Sequence, residues 1–142
     1  MLSQKTRYSI RALQDLADHV DEPPVRLDAI AERQNIPRKF LTVILSELVR
    51  EGLVESHRGR DGGYRLAAPP SQIHYGDIIR ATRGSLALTP CASRKAHQTC
   101  EHCLPEEKCR LRGLMLHLRD EMAAMLDRVT LADPIAIEPP HD

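Results

Sequence analysis

The chain has 142 residues, enough for one small domain with an extension, and carries 20 basic and 20 acidic residues. With three Tyr, one Phe and no Trp, its core falls to Leu, Ile, Val, Ala and Met. No apolar run is long enough to span a bilayer, and Lys5, Arg7 and Arg11 interrupt the segment where a secretory leader would lie, so the reading is a cytoplasmic protein with no membrane partner.

Residues 4–19 read as an amphipathic helix. Tyr8, Ala12, Leu13, Leu16, Ala17 and Val20 recur at three- and four-residue steps. Pro23 and Pro24 end it, because proline cannot continue a helix. Val25, Leu27, Ile30 and Ala31 indicate a second, short helix over about 27–33. Asn35-Ile36-Pro37 is a tight turn, and Pro37 suits the first position of a third helix that runs to Arg50 and stops at Gly52. Leu41, Ile44, Leu45, Leu48 and Val49 line one face of that helix. Two short helices joined by such a turn form a helix-turn-helix.

The next segment sharpens the pattern. Leu53 to His57 reads as a strand, Arg58-Gly59-Arg60-Asp61-Gly62-Gly63 as a glycine-rich turn, and Tyr64-Arg65-Leu66 as the returning strand. Helix, turn, helix and β-hairpin in that order is the winged-helix arrangement. Arg58 and Arg60 would sit on a thin projection of the width that a DNA minor groove accepts. From Arg33 to Arg65 there are seven basic residues and four acidic ones, a local charge of +3 hidden by the neutral total.

After a Pro-containing connector, Ile73, Ile78, Ile79 and Ala81 imply a short helix over about 75–83, closed by Gly84. The stretch from Cys91 to Cys109 then has no apolar periodicity, and Pro105 blocks a helix interior. It contains all four cysteines: Cys91, Cys100, Cys103 and Cys109. In a reducing compartment, four clustered thiols are metal ligands rather than disulfides. The donor set suits an iron–sulfur cluster, with zinc as the alternative. Zinc sites commonly use paired Cys-x-x-Cys knuckles, and Cys100 to Cys103 is the single such pair. Beyond the loop, Leu111, Leu114, Met115, Leu118, Met122, Met125, Leu126 and Val129 mark a long helix, roughly 109–131, with near-heptad spacing. Such a seam calls for a second copy of the same helix. Pro134, Pro139 and Pro140 make the remainder prone to fray. There is no phosphate-cradling glycine loop, nucleophile constellation or paired carboxylate, so an enzyme is not expected.

Nearly end to end, the chain resembles the Rrf-type bacterial transcription regulators that include the IscR and NsrR iron–sulfur sensors. The resemblance is carried by Thr6-Arg7-Tyr8 with Ala12-Leu13, by Ile30 to Pro37 across the turn, by Leu48 to Val54, by Arg58-Gly59 and Gly62 to Ala67, and by the cysteines downstream. It implies a homodimer on a pseudo-palindromic double-stranded operator, acting as a repressor. The third helix would enter the major groove through Arg38, Lys39, Thr42, Val43 and Ser46, and Arg58 of the wing would enter the minor groove. IscR-like members carry Glu and Gln where this chain has Thr42 and Val43, which implies a different operator. The wing has Arg60-Asp61 where Pro-Gly is common.

The family's cluster pattern is three cysteines, matched by Cys91, Cys103 and Cys109, and Cys100 could complete a four-thiolate set. Arg112 stands where IscR-like members hold a ligating His, leaving His97 and His102 of the loop as reserve ligands. The nuclearity, 2Fe–2S or 4Fe–4S, is left open.

The expected fold is therefore mainly α with a small β-hairpin wing. It divides into a winged helix-turn-helix DNA-binding domain over 1–84, a cysteine-rich cluster-binding loop over 85–108, a dimerisation helix over 109–131 and a flexible tail over 132–142. The expected function is DNA binding modulated by an iron–sulfur cluster that reports iron, redox or nitric oxide status. Two alternatives stay open on the residues alone. One is a winged-helix regulator with a structural zinc or a thiol switch. The other is a winged-helix protein-interaction module without DNA binding.

Overall fold

A computed structural model describes residues 2–139. The last three residues of the expected tail, 140–142, lie outside the described residues. Helices α1 (Gln4–Asp18), α2 (Leu27–Gln34) and α3 (Arg38–Arg50) are followed by strands β1 (Val54–His57) and β2 (Gly63–Leu66), then by α4 (Tyr75–Arg83) and α5 (Arg110–Leu126). Short 3-10 turns occupy Pro70–Gln72, Pro90–Ala92 and Glu106–Lys108. This is the expected mainly helical fold with a two-stranded antiparallel wing. No helix among the described residues is long and apolar enough to cross a membrane.

Local chemistry sets the boundaries. The Ser3 hydroxyl accepts the Thr6 N–H at 3.1 Å and so caps the start of α1. Asn35 adopts the left-handed conformation, φ 50°, and ends α2; asparagine tolerates this region better than most residues. Pro37 sits one position earlier than its sequence suggested, as the cap residue before Arg38. Its carbonyl accepts the Leu41 N–H at 3.0 Å.

The core is built around α1, which packs against α2, α3 and α4. Leu13, Leu16, Ile30, Leu41, Leu45, Leu48 and Ile78 are fully buried there. Two residues expected on the buried faces of α1 and α3 are exposed: Val20 follows the end of α1, and Val49 lies at the edge of the α3 stripe. The most consequential buried polar group is Asp15, 2% exposed on the inner face of α1. Its carboxylate accepts two hydrogen bonds from Arg33, at 2.9 and 2.8 Å, and one from Gln34 at 3.2 Å. The pair fixes α2 on α1, the first step in aiming α3 outward.

The hairpin is held to the body from one side. Val54 pairs with Leu66 and His57 with Gly63. Val25 and Tyr64 exchange backbone hydrogen bonds of 2.9 and 2.8 Å, so the segment before α2 acts as a third, one-residue strand. A Cβ on Gly63 would lie 2.5 Å from the Val25 carbonyl oxygen, so only glycine permits this approach.

The helix expected over 109–131 spans Arg110–Leu126, and the chain then turns back. Val129 accepts the Tyr75 N–H at 3.0 Å, and the Leu131 N–H donates to Ile73 at 3.0 Å. Leu131 is buried against the core. The C-terminal end of α5 is thereby fastened to its own winged domain, while its N-terminal end adjoins the cysteine loop.

Candidate functional site

Two surfaces carry the candidate chemistry. On α3 the buried residues Leu41, Ile44, Leu45 and Leu48 leave Arg38, Lys39, Thr42, Val43 and Ser46 exposed. The expected recognition residues therefore share the outward side of one helix. Arg38 forms an ion pair with Asp28 at 2.6 Å. Thr42 donates its hydroxyl proton to the Arg38 carbonyl at 2.9 Å. Arg50 lies on the same outward side.

Arg58 and Arg60 are exposed at the wing tip, as expected. The tip turns through Gly59, φ 105°, whose carbonyl accepts the Gly62 N–H at 3.0 Å. Behind it, Arg65 donates to the Glu22 carbonyl at 2.9 Å and braces the hairpin against the loop after α1. Among the described residues, Lys39, Arg50, Arg58 and Arg60 form no ion pair. Their charge remains available to a polyanion.

The second surface is a cavity of about 300 Å³ lined by Cys91, Cys100, Cys103 and Cys109, together with Glu106 and Arg112. All four predicted thiols thus face one space. Cys91 is buried at the turn Pro90–Ala92, Cys100 and Cys109 are half-buried, and Cys103 is exposed. Cys109 caps α5, its sulfur accepting the Arg112 N–H at 3.3 Å. Among the described residues, no group of three His, Cys, Asp or Glu side chains is gathered closely enough to hold a metal ion. The donor set fits an iron–sulfur centre in number and kind, and the sulfurs would have to draw together around it.

The environment of the thiols is uneven. Hydrogen bonding to the Thr89 hydroxyl, 3.5 Å away, holds the Cys91 thiol below its ordinary range. Hydrogen bonding to Cys91 pushes the Cys100 thiol up. Both thiols line the same cavity. The reserve histidines do not line the cavity: His97 pairs with Glu106 at 2.9 Å, and His102 is exposed with φ 57°.

Two arginines on α5, one heptad apart, were not part of the expected site. Arg112 donates to the Cys91 carbonyl at 3.1 Å and pairs with Glu106 at 3.3 Å. Arg119 donates to the Ala92 carbonyl at 2.6 Å. They staple the start of the cysteine loop onto α5. The i, i+7 spacing of Arg112 and Arg119 is the only sequence signal that could have suggested it. Phe40 was also missed. It is 58% exposed at the start of α3, and its position off the buried stripe was the available clue.

Residues 2–136 match the family model described as Rrf2, an iron-dependent transcriptional regulator. A rrf2-like putative transcriptional regulator of Rhodobacter capsulatus is 37% identical over 139 residues, spanning 96% of this chain and 93% of its own length. Among solved structures, CymR, the global cysteine regulator of B. subtilis, superposes with a TM-score of 0.74 at 33% identity, covering 92% of both chains. T. potens IscR gives 0.70 at 34% identity, covering 94% of this chain and 84% of that one.

Proposed function

The chain belongs to the Rrf2 family of DNA-binding transcriptional regulators, and from that premise we propose that its operator binding is governed by an iron–sulfur cluster held by Cys91, Cys100, Cys103 and Cys109. The observation that carries this reading is the convergence of all four cysteines on one cavity beside the start of α5. The protein works as a homodimer on a pseudo-palindromic operator, as a repressor. Arg38, Lys39, Thr42, Val43 and Ser46 face the major groove, and Arg58, with Arg60 beside it, reaches towards the minor groove.

When bound, the cluster supplies iron–thiolate bonds that respond to oxidants, nitric oxide and iron supply. The chain provides the connection to DNA. Cys91 and Cys109 stand at the two ends of the loop, and Cys100 and Cys103 lie between them. Arg112 and Arg119 fix the Cys91 end on α5. Cys109 fixes the other end, because it caps the same helix. A change in how the loop is held therefore acts on α5, whose far end is fastened to the winged domain through Val129 and Leu131. In a dimer joined along α5, that position sets the distance between two recognition helices, which must match half-sites about 34 Å apart or a multiple of it.

The test is operator affinity of anaerobically purified protein before and after cluster removal, at several salt concentrations, with iron content and visible absorption recorded on the same samples. Loss of affinity or a change of preferred operator on removal is expected. Equal affinity in both forms defeats the cluster as the switch.

A second reading rests on the same cavity. Cys91 and Cys100 both line it as free thiols, which suits a thiol switch that holds no metal. Colourless, iron-free protein whose DNA binding changes on oxidation and recovers on reduction favours it. Colourless protein with stoichiometric zinc points to a structural metal instead.

A further inference from the structure

The outward side of α3 is unusual in what it lacks. Phe40 is 58% and Val43 55% exposed, and neither can donate or accept a hydrogen bond. Phe40 and Val43, three residues apart, are neighbours on the helix surface; Thr42 is exposed on the other flank of Val43, and its hydroxyl proton is used within the helix on the Arg38 carbonyl, at 2.9 Å. Three side chains spread across the outward side of α3 thus have no donor to offer a base edge. They do present a phenyl ring, an isopropyl group and a methyl group. Phe40 does not pack on the core cluster, so core packing gives no reason for its aromatic ring.

The occupant of this patch is constrained by its surroundings. Lys39 and Arg50 lie on the same side of α3, with Arg58 and Arg60 on the wing, and none forms an ion pair among the described residues. An apolar patch ringed by cations fits an anionic partner that also shows apolar groups. Duplex DNA shows one such group in its major groove, the C5 methyl of thymine. We propose that Phe40, Thr42 and Val43 read thymine methyl groups, so that this regulator selects its half-sites by apolar contact at these positions. The inference rests on α3 being the recognition helix, as proposed above.

The full chain is used to select binding sites from a random duplex pool. The selected operator is then resynthesised with deoxyuridine in place of individual thymidines, which removes only the methyl. At contacted positions affinity falls about fourfold per methyl, the loss of one buried CH₂-sized group. Val43→Ala, Thr42→Ser and Phe40→Ala alter exposed side chains and leave the fold intact by circular dichroism. Each binds the natural operator more weakly and loses its sensitivity to uridine at one position, the coupling expected of a direct contact. Equal binding of natural and uridine-substituted operators overturns the inference. A uridine penalty that persists undiminished in all three variants overturns the assignment to these residues. If the chain selects no DNA but retains a protein partner through the patch, the DNA reading itself fails, and this inference with it.

Discussion

The Arg80 guanidinium grips the Asp127 carboxylate through two parallel hydrogen bonds of 2.8 and 2.7 Å. It joins the middle of α4 to the residue just beyond the end of α5. Gly76, one turn before Arg80 on α4, makes room for it, because a Cβ there would fall on the Asp127 carboxylate. The contact secures the junction between the winged domain and the helix that bears the cysteine loop.

Its pH dependence follows from charge. Hydrogen bonding to Arg80 holds the Asp127 carboxyl below its ordinary value of 3.8. A carboxylate depressed on folding adds stability that is present above its unfolded value and lost as pH falls through the folded one. Asp127→Asn should therefore lower Tm by about 2 °C at pH 7, since half-exposed ion pairs contribute modestly. The difference from wild type should shrink as pH falls below about 4. Thermal melts at pH 7, 5 and 3 check this, and a pH-independent difference would assign the loss to packing instead.

Asp15 and Arg33 form the contrasting pair, since Asp15 is buried. Arg33→Met retains the aliphatic stem but leaves the carboxylate with Gln34 as its remaining side-chain donor. Removing one partner of a buried pair costs about 3 kcal/mol, mostly because the other charge stays behind. Urea unfolding at pH 7 should show a lower midpoint with an unchanged slope. A midpoint within error of wild type would mean that α2 is positioned by Ile30 and Ala31 alone.

These two pairs show where sequence reading stops. The span of α4, the order of helices and wing, and the gathering of four thiols were legible, because apolar spacing, glycine turns and proline breaks act locally. The burial of Asp15 has no signal in the local pattern of α1, because Arg33, which pairs with it, comes eighteen residues later. The end of α5 was missed because Val129 continues the heptad in the sequence. The hydrogen bonds from Tyr75 and Leu131 that pull the chain back are non-local. Arg112 was read as the absence of a histidine ligand, whereas its guanidinium bonds the Cys91 carbonyl.

The apolar seam of α5 has two edges. Met115, Leu118, Met122 and Leu126 are half-buried, while Leu111, Leu114 and Met125 are 60%, 59% and 52% exposed. The bare edge is the expected contact with a second copy. Leu114→Glu should convert the protein from dimer to monomer in sedimentation velocity and leave the circular dichroism spectrum unchanged, since the residue supports no core contact of its own chain. Operator affinity should fall steeply, because one half-site forfeits the linked second contact. A dimer that survives in Leu114→Glu, and also in Leu111→Glu, would place the interface elsewhere.

Arg58 offers the cleanest separation of DNA binding from folding. It projects from a turn with no ion pair and no core contact among the described residues, so Arg58→Ala should leave Tm unchanged. Each phosphate neutralised by a basic side chain adds close to one unit to the dependence of log affinity on log salt. If Arg58 contacts only phosphate, the variant should bind all sequences more weakly and lower that slope by about one for each wing engaged. If it enters a narrowed minor groove, the loss should be larger on operators with A·T runs beneath the wing and small on G·C-rich ones. Titrations across 50–300 mM salt on both kinds of operator distinguish the two. Unchanged affinity on either would remove the wing tip from the DNA interface and leave Arg60, on the other side of Gly59, as the next residue to substitute.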